Sequence, residues 1–478
     1  MRGEEPGTGD VCTMDSIFRD DTICAIATPV GEGGIGIVKI GGPGALPVAR
    51  LLFRPRRPVE SLESHRLYYG WIVDPATGET VDEGLLSYMA APHTYTREDV
   101  VEINSHSGYA VLARILELVL AAGARLAEPG EFTRRALLNG RIDLSQAEAV
   151  AELVHARSLR GVLHANRHLR GEFREKIQQW REILLDLQSQ AEAHIDFAED
   201  IEEGPSETAP SACDLLEEVL RSVAGAIESY RSGRVLHEGL AIALVGKPNV
   251  GKSSLLNALV GRDRAIVTPF PGTTRDVIED SFTLDGIEVR VLDTAGIRRE
   301  PDEIESYGIE RTMRIVGEAD VVLWLVDGSR PLDAEDDAVF RSLREKRCLV
   351  LLNKNDLPPE TTPEDLEDRF GTERPIVRIS ALNPADVERL RGVLAESCLR
   401  RPIETGRTAI VPNLRQKDCL ERAEASLKKA REHLAGGCFD DLASLELASA
   451  RKELDAVLGR DGGDELLDRV FSRFCVGK

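Results

Sequence analysis

The chain is poor in aromatic residues, in long apolar runs and in positive charge. Aromatic residues make up 5% of its 478 residues, and its acids outnumber its bases to give a formal net charge of −22. No apolar run reaches the roughly 18 residues that a membrane span needs, and residues 1–7 show no apolar segment of a secretion signal. The negative charge argues against indiscriminate coating of nucleic acid, but it does not exclude a local basic surface.

The cysteines also lack a pattern. The eight cysteines form no Cys-x-x-Cys pair and no His/Cys spacing typical of a metal site. In a long chain without a secretion signal, such thiols are expected to be reduced. We therefore expect a cytoplasmic protein with no membrane association and, from its length, about three domains.

The strongest motif is a glycine-rich loop at residues 246–253. Its sequence, Gly-Lys-Pro-Asn-Val-Gly-Lys-Ser, fits the phosphate-binding pattern G-x-x-x-x-G-K-[ST]. An apolar run typical of a buried strand precedes the loop, and a helical pattern follows it. Such a loop turns its N–H groups toward one point, where the helix N-terminus adds positive charge. Lys252 is expected to reach the β- and γ-phosphates, and the Ser253 hydroxyl is expected to hold Mg²⁺.

Four further motifs follow in the order that a GTPase needs. Residues 272–276, Gly-Thr-Thr-Arg-Asp, offer a threonine for the γ-phosphate and Mg²⁺, and residues 293–296, Asp-Thr-Ala-Gly, offer an aspartate for the metal shell. In the third motif, Asn-Lys-Asn-Asp at residues 353–356, the carboxylate of Asp356 can accept two hydrogen bonds, from N1 and N2 of guanine. Adenine lacks this pair of donors. Ser-Ala at 380–381 should line the base pocket. The residues expected to bind GTP are Asn249, Val250, Gly251, Lys252, Ser253, Ser254, Thr268, Thr273, Thr274, Asp293, Thr294, Ala295, Gly296, Asn353, Lys354, Asp356, Ser380 and Ala381, with Mg²⁺ on Ser253 and Thr274.

The residue that follows the Asp-Thr-Ala-Gly motif departs from the usual GTPase pattern. Ile297 follows Gly296 at the place where Ras-like enzymes carry the glutamine that orients the attacking water. An isoleucine side chain can neither donate nor accept a hydrogen bond, and transition-state charge needs a counter-charge beyond Lys252 and Mg²⁺. Either hydrolysis is slow or a second element completes the site.

The rest of the chain divides into an α+β part and a helical part. Short apolar runs that alternate with turn signals predict an α+β domain, whereas from about residue 144 the apolar period becomes helical. Helical patterns resume after residue 402, so the GTPase domain is inserted into a discontinuous helical domain. The expected domains are a disordered leader at 1–14, an α+β domain at 15–140, a helical domain at 141–237 and 403–478, and a Ras-like P-loop α/β domain at 238–402.

A basic stretch lies between residues 155 and 181, which contain seven arginines and lysines and two acidic residues. Charge runs usually mark a solvated helix face, which is the favoured interpretation. A contact with the phosphate backbone of a nucleic acid is the alternative.

Over residues 21–478 the layout and several local segments resemble the MnmE/TrmE family of tRNA-modification GTPases. The matching segments are 21–29, 33–37, 128–133, 139–149, the two phosphate-site motifs at 246–253 and 272–276, and the tail 474–478. The tail, Phe-Cys-Val-Gly-Lys, is close to the Cys-Ile-Gly-Lys ending of the family. Residues 1–13 match nothing in the family, so translation is expected to begin at Met14 or the leader to be disordered.

The resemblance implies a homodimer built on the N-terminal domain, which binds a tetrahydrofolate carrier in its 5-formyl or 5,10-methylene form. By position, the folate would contact Lys39, Glu102, Arg141 and Lys478. Ser107 stands where the family often has a glycine. Cys475 lies on a tail with no evident packing need for sulfur, so a role in one-carbon transfer or substrate contact is favoured over a packed structural thiol.

The resemblance also implies a K⁺ ion beside the phosphates, in G domains that dimerise across the nucleotide. Asn249 would ligate K⁺ with its side chain, and loop carbonyls near Thr268, Phe270 and Thr273 would complete the shell. Glu305 matches the water-orienting glutamate of the family. The residues expected to be catalytic are therefore Glu305, Lys252 and Cys475.

The implied function is a K⁺-dependent GTPase that forms a heterotetramer with an FAD-containing MnmG-type partner, with FAD on the partner only. Together they would add a (carboxymethyl)aminomethyl group to C5 of the wobble uridine of tRNA. GTP hydrolysis would drive an open–closed cycle of the G domains. Two alternatives are a ribosome-assembly GTPase that acts as a binding switch and a folate-dependent one-carbon enzyme with a regulatory G domain.

Overall fold

The computed structural model describes most of the chain and divides it into two compact units, Met1–Ala151 with Leu458–Lys478, and Glu152–Val457. The described residues are 21–29, 31, 33–156, 158–196, 212–261, 280–292, 315–343, 346–371, 374–400, 411–434, 441–460 and 463–478. Within these ranges, no helix combines the length and the apolar character that crossing a membrane requires.

The strands and helices are numbered in chain order. The strands are β1 Ile23–Ile26, β2 Gly36–Gly41, β3 Phe53–Pro55, β4 Arg66–Val73, β5 Thr80–Met89, β6 Val100–Ser105, β7 Arg125–Leu126, β8 Leu240–Val245, β9 Asp280–Leu284, β10 Ile287–Leu292, β11 Val321–Asp327, β12 Cys348–Asn353 and β13 Ile376–Arg378. The helices are α1 Ala45–Leu52, α2 Tyr109–Ala121, α3 Glu131–Leu138, α4 Leu144–His155, α5 Leu159–Leu169, α6 Glu172–Asp196, α7 Ala212–Glu238, α8 Lys252–Val260, α9 Ala334–Ser342, α10 Pro363–Phe370, α11 Pro384–Leu394, α12 Leu414–Leu434, α13 Asp441–Leu458 and α14 Asp464–Phe471.

The first unit is built on a seven-stranded sheet with the order β3-β4-β5-β6-β2-β1-β7. Its neighbours are antiparallel except for β1 and β7, which run parallel. Both faces of β1 are covered, because Cys24 packs in the core formed with α1 and α2, whereas Ile23 and Ala25 pack with Phe132 of α3. This alternation is what a strand with a side-chain period of two requires. The predicted α+β architecture is confirmed.

Helix α14 and the C-terminal tail belong to this first unit. The rings of Phe471 and Phe474 lie 5.1 Å apart and press on Gly130, where a Cβ would come within 3.0 Å of either ring. Gly130 has a φ of +70°, so a glycine is needed here for conformation as well as for space. The helical pattern alone groups the tail with the helices that precede it, because such a pattern carries no information on which partner it packs against. The domain boundaries stay predictions.

The second unit contains a six-stranded sheet with the order β13-β12-β11-β8-β10-β9. All neighbours are parallel except β9 and β10. Every residue of β8, β11 and β12 is buried, as expected for parallel strands that are covered on both faces. This is the strand order of a Ras-like P-loop domain, and the predicted fold class is confirmed.

In the second unit, helices that precede the sheet in the sequence pack against helices that follow it. The helical apolar period predicted from about residue 144 appears along α6 as a buried stripe at spacings of three and four residues. Its members are Phe173, Ile177, Trp180, Leu184, Leu187 and Ala191. Arg181 on the same helix lies 2.8 Å from Asp455 of α13. From α12, Arg415 donates to the carbonyl oxygens of Ala456 and Val457, each at 2.9 Å. The predicted discontinuous helical domain is therefore present.

Candidate functional site

The glycine-rich loop follows β8 directly and ends where α8 begins. Its backbone takes positive φ values at three positions, +154° at Gly246, +62° at Asn249 and +104° at Gly251. A Cβ at Gly246 would collide with the carbonyl oxygen of Leu325, so this position tolerates only glycine. Asparagine is among the few other residues that accept a left-handed conformation. At Asn249 that conformation leaves the side chain exposed at the loop.

Lys252 lies on the inner side of this loop. Its Nζ donates to the carbonyl oxygens of Gly246 and Lys247, each at 2.7 Å. Burial lowers the pKa of Lys252, because the ammonium is desolvated there. An anionic phosphate in the loop would offer this ammonium a charge-assisted partner, which is stronger than a neutral carbonyl. Ser253 and Ser254 begin α8 and are exposed.

A second lysine of the loop, Lys247, was not singled out by the sequence analysis. Its Nζ lies 2.7 Å from Oδ2 of Asp333 and 2.7 Å from Oδ2 of Asp336. Asp333 is the N-cap of α9, and Asp336 is buried. Lys247 thus attaches the loop to the start of α9. No local pattern marks such a pair, since Lys247 occupies a variable position of the motif and its partners lie more than 80 residues away.

Asn353, at the end of β12, joins two of the predicted motifs through one buried side chain. Its Nδ2 donates to the Val250 carbonyl at 2.7 Å, and its Oδ1 accepts from the Ala381 N–H at 2.9 Å. The N–H of Ser380 donates to Asp386 at 2.8 Å. The glycine-rich loop and segment 380–381 are therefore held together.

The next residue, Lys354, is held by a buried carboxylate. It has a φ of +66°, and its Nζ lies 2.6 Å from Oδ2 of Asp327. Burial raises the pKa of Asp327, but hydrogen bonds from Lys354 and Ser329 outweigh burial and bring this pKa below its ordinary value. Asp356 is exposed just beyond. Since the carboxyl ends of parallel strands meet at one edge of a sheet, these residues and the glycine-rich loop share that edge.

The remaining predicted nucleotide-site residues lie outside the described residues. They are Thr268, Phe270, Thr273, Thr274, Asp293, Thr294, Ala295, Gly296 and Glu305, together with Ile297.

In the first unit, the predicted folate residue Lys39 lies beside the C-terminal tail. Its Nζ is 3.8 Å from Oε1 of Glu102, 3.5 Å from the Gly477 carbonyl oxygen and 5.3 Å from the centroid of the Phe132 ring. Burial lowers the pKa of Lys39, Glu102 raises it, and the nearby Lys478 lowers it further, with a net result below the ordinary value. The structure thus brings together Lys39, Glu102 and Lys478.

Backbone contacts hold the tail in this place. The N–H of Gly130 donates to the Cys475 carbonyl at 3.3 Å, and the N–H of Phe132 donates to the Lys478 carbonyl at 3.2 Å. Gly477 has a φ of +92°, and a Cβ there would lie 2.9 Å from the Ile26 carbonyl oxygen. Cys475 itself is partly exposed.

Arg141 borders a different feature of the first unit. Its guanidinium lies 4.7 Å from the centroid of the Tyr95 ring, and the Tyr95 hydroxyl is 3.0 Å from Oγ1 of Thr133. Arg141 and Tyr95 line an open cavity of about 740 Å³. The cavity is lined by Met89, Pro92, His93, Thr94, Tyr95, Arg97 and Arg141. Of these, only Arg141 was predicted, because the loop at 89–97 carries no recognisable motif.

Ser107, the departure from the family pattern, has a defined role. The side chain is buried, and its Oγ accepts from the Gly33 N–H at 2.8 Å and donates to the Gly31 carbonyl at 3.1 Å. The hydroxyl therefore holds the glycine-rich segment before β2.

Comparisons with known proteins cover nearly the whole chain. Two family models match, the MnmE helical domain over residues 144–475 and the GTP-binding protein TrmE N-terminus over residues 22–141. The tRNA modification GTPase MnmE of Syntrophobacter fumaroxidans is 60% identical over 462 residues, which cover 96% of this chain and 98% of that protein. The protein of the same name from Carboxydothermus hydrogenoformans is 45% identical over 465 residues, covering 96% of this chain and all of that one.

Among solved structures, the FeoB G-domain of Methanococcus jannaschii is 27% identical and covers 33% of this chain and 96% of its own, with a TM-score of 0.24. A TM-score this low supports no conclusion about the fold of this chain. The identity to the two MnmE proteins extends over nearly the whole chain, through both the α+β unit and the P-loop unit. This chain therefore belongs to the MnmE (TrmE) family of GTPases.

Proposed function

We propose that this chain is a GTP hydrolase that acts in tRNA modification. For the hydrolase activity, the single observation that supports the proposal most is the Asn353 side chain, which joins the glycine-rich loop to segment 380–381. That arrangement suits a guanine nucleotide whose phosphates lie in the loop. In cells that lack the native copy, loss of modified wobble uridine and its return with this chain would test the proposal. Unchanged tRNA nucleosides in such cells would contradict it.

Within the nucleotide site each described residue has a proposed task. Lys252 binds the β- and γ-phosphates, and the loop N–H groups orient them. The exposed Ser253 hydroxyl, at the N-terminus of α8, fits a Mg²⁺ ligand, and Mg²⁺ supplies charge neutralisation between these phosphates when bound. Asp356 accepts hydrogen bonds from guanine, and Lys354 is held by Asp327 so that it covers the base. Glu305, which lies outside the described residues, is proposed to orient the attacking water.

We propose K⁺ as the further counter-charge. Asn249 fits this role, because it is an exposed residue of the loop and its side chain carries an amide oxygen. Carbonyls near Thr268, Phe270 and Thr273 would complete the shell, in G domains that pair across the nucleotide. A cation there offsets charge that develops between the β- and γ-phosphates.

GTP hydrolysis is expected to be fast in K⁺ and slower by on the order of 100-fold in Na⁺, whose smaller radius fits the same oxygens poorly. Asn249→Ala should abolish the difference between the two salts. Steady-state phosphate release in matched KCl and NaCl measures this, with Asn257→Ala, an exposed asparagine of α8, as the control. Equal wild-type rates in both salts would refute the K⁺ proposal.

Asn353→Ala is expected to weaken GTP binding by about 10- to 100-fold, since the Val250 carbonyl and the Ala381 N–H lose a buried partner at a cost of about 1–3 kcal/mol. Titration with a fluorescent, non-hydrolysable GTP analogue measures the affinity. The neighbouring Asn355→Ala is the control, because Asn355 is exposed. A folded Asn353 variant that binds with wild-type affinity would show that this cross-link is dispensable.

For the first unit we propose a reduced folate, 5-formyl- or 5,10-methylene-tetrahydrofolate, as the one-carbon carrier. Its pterin has an N–H donor edge, which the Glu102 carboxylate suits, and its glutamate has carboxylates, which Lys39, Lys478 and Arg141 suit. The folate supplies the methylene carbon when bound. The tail holds Cys475 beside these residues, where it contacts the substrate or takes part in one-carbon transfer.

We further propose that the chain forms a homodimer through its N-terminal domain and a heterotetramer with an FAD-containing MnmG-type protein. The product is the (carboxymethyl)aminomethyl group at C5 of the wobble uridine. Affinity purification of the full chain, followed by the absorbance spectrum of bound flavin, tests the partnership. Retrieval of no flavoprotein would contradict it.

A further inference from the structure

Strands β3 and β4, at one edge of the seven-stranded sheet, carry an exposed group of arginines and aromatic rings. We name Arg54, Arg56, Arg57, Tyr69 and Trp71 the β3–β4 face. The Arg56 guanidinium lies 5.7 Å from the Tyr69 ring centroid and 6.0 Å from that of Trp71. The two rings are 6.4 Å apart. Tyr69 and Trp71 are two residues apart on β4 and therefore point to the same face of the sheet.

Of the two rings on this face, Tyr69 is exposed and Trp71 is half-buried. Tyr69 is 41% exposed, and Leu67, which points the same way, is 66% exposed. The Tyr69 hydroxyl donates to Glu83 at 2.9 Å, which limits rotation of the ring without covering it. The Arg56 N–H donates to the Tyr69 carbonyl at 2.9 Å, so the arginine-bearing segment is anchored to β4.

The charge of this edge is opposite to that of the whole chain. Residues 50–71 contain five arginines and two glutamates, whereas the chain carries a net charge of −22. Arg66 is paired with Glu63 at 2.7 Å. Over the described residues, none of the three arginines of the β3–β4 face forms an ion pair with a carboxylate. Arg54 donates only to backbone carbonyls, those of Arg50, Leu51 and Phe53.

The basic stretch at 155–181, by contrast, is used inside the second unit. Arg160 donates to the Asp285 carbonyl at 2.7 Å, Arg167 lies 2.9 Å from Glu172, and Arg181 lies 2.8 Å from Asp455. These partners neutralise or occupy three of the seven cations that the sequence offered as a phosphate contact. Within the described residues, no carboxylate pairs with the three arginines of the β3–β4 face.

We propose that the β3–β4 face binds single-stranded RNA, such as a loop of tRNA. One or two unstacked bases pack on Tyr69 and Trp71, and phosphates lie against Arg54, Arg56 and Arg57. Aromatic rings beside arginines are the combination by which proteins hold unpaired nucleotides, because each base has a face that stacks and each nucleotide a charge. Edge strands also carry charges to prevent sheet-to-sheet pairing, but that purpose does not require exposed rings. This inference rests on the proposed role in tRNA modification.

The test is binding of an unmodified tRNA transcript and of its anticodon stem-loop to the full-length protein, by fluorescence anisotropy at several salt concentrations. Arg56→Gln combined with Arg57→Gln should weaken binding about 10-fold or more and lower the salt slope by about 2. Tyr69→Leu keeps apolar bulk but removes the stacking ring, and it should weaken binding about 5- to 10-fold with the salt slope unchanged. The circular-dichroism spectrum and the unfolding temperature of each variant verify the fold.

Arg66→Gln is the matched control, since it removes a charge from the same edge that Glu63 already neutralises. Wild-type RNA affinity in the arginine and tyrosine variants would overturn the inference, as would an equal loss in Arg66→Gln. If those variants instead change the sedimentation coefficient while RNA affinity stays constant, the face is a protein interface and the inference is wrong. If cells that lack the native copy have normal tRNA nucleosides, the proposed function is wrong. If the nucleosides of those cells are altered but the arginine and tyrosine variants bind RNA with wild-type affinity, this inference alone is wrong.

Discussion

Replacement of Cys475 by serine is expected to abolish wobble-uridine modification while GTP turnover stays near the wild-type rate. The tail is held by its backbone, through the bond from the Gly130 N–H to the Cys475 carbonyl, and serine preserves that bond. Serine differs from cysteine in lacking a group that ionises to a nucleophilic thiolate near neutral pH. A chemical role of the side chain is therefore lost while its position is kept.

GTP turnover should be spared because the two sites lie in different units. Cys475 belongs to the unit that includes Leu458–Lys478, and the glycine-rich loop belongs to the unit Glu152–Val457. Mass spectrometry of tRNA nucleosides from cells that lack the native copy measures modification, and phosphate release measures turnover. Cys213→Ser is the matched control, because Cys213 is an exposed thiol of α7. Intact modification in the Cys475 variant would make the thiol incidental, and loss of both activities would indicate a tail needed for folding.

Asp356→Asn is expected to change the base preference from guanine to xanthine. The carboxylate accepts hydrogen bonds from guanine N1–H and from the N2 amino group, and an asparagine amide would direct its own N–H toward that amino group. Two hydrogen bonds to a charged acceptor are worth about 1.5–3 kcal/mol each, so the KM for GTP should rise by on the order of 100-fold or more. Xanthine has an oxygen in place of the amino group and can accept from the amide.

The KM values for GTP and XTP hydrolysis measure this change. Asp356 is exposed, so its replacement does not disturb the core, and the temperature of unfolding should be unchanged. Glu360→Gln, which removes an exposed carboxylate nearby, is the control and should leave both KM values as they are. An Asp356 variant that keeps the wild-type KM for GTP would mean that another group recognises the base.

Much of the fold is readable from local patterns. The apolar run of β8, the glycine loop and the start of α8 are adjacent in sequence, and their conformations follow from side-chain size and from glycine at Gly246 and Gly251. The stripe along α6 was predicted because a helix repeats every 3.6 residues. The nucleotide motifs were predicted because each is a short run with a chemical task. Those at residues 262–279 and 293–314 lie outside the described residues and stay predictions.

Contacts between residues that are distant in the sequence could not be predicted from local patterns. The sequence alone determined the P-loop, the guanine preference expected from Asp356, and the two-part helical domain. Only the tertiary structure decided that Lys247 pairs with Asp336, that Asn353 ties two loops together, and that the tail lies beside Lys39, which contacts a residue 438 positions away.

The tertiary structure also decided which basic residues are used internally. Arg181 and Arg56 both belong to basic segments, but Arg181 meets a carboxylate when the helices pack, whereas Arg56 lies over two rings at a sheet edge. The physical reason is one of range. Backbone preference and side-chain periodicity act over a few residues, whereas an ion pair or a buried hydrogen bond depends on which distant segments the closed chain brings within about 3 Å.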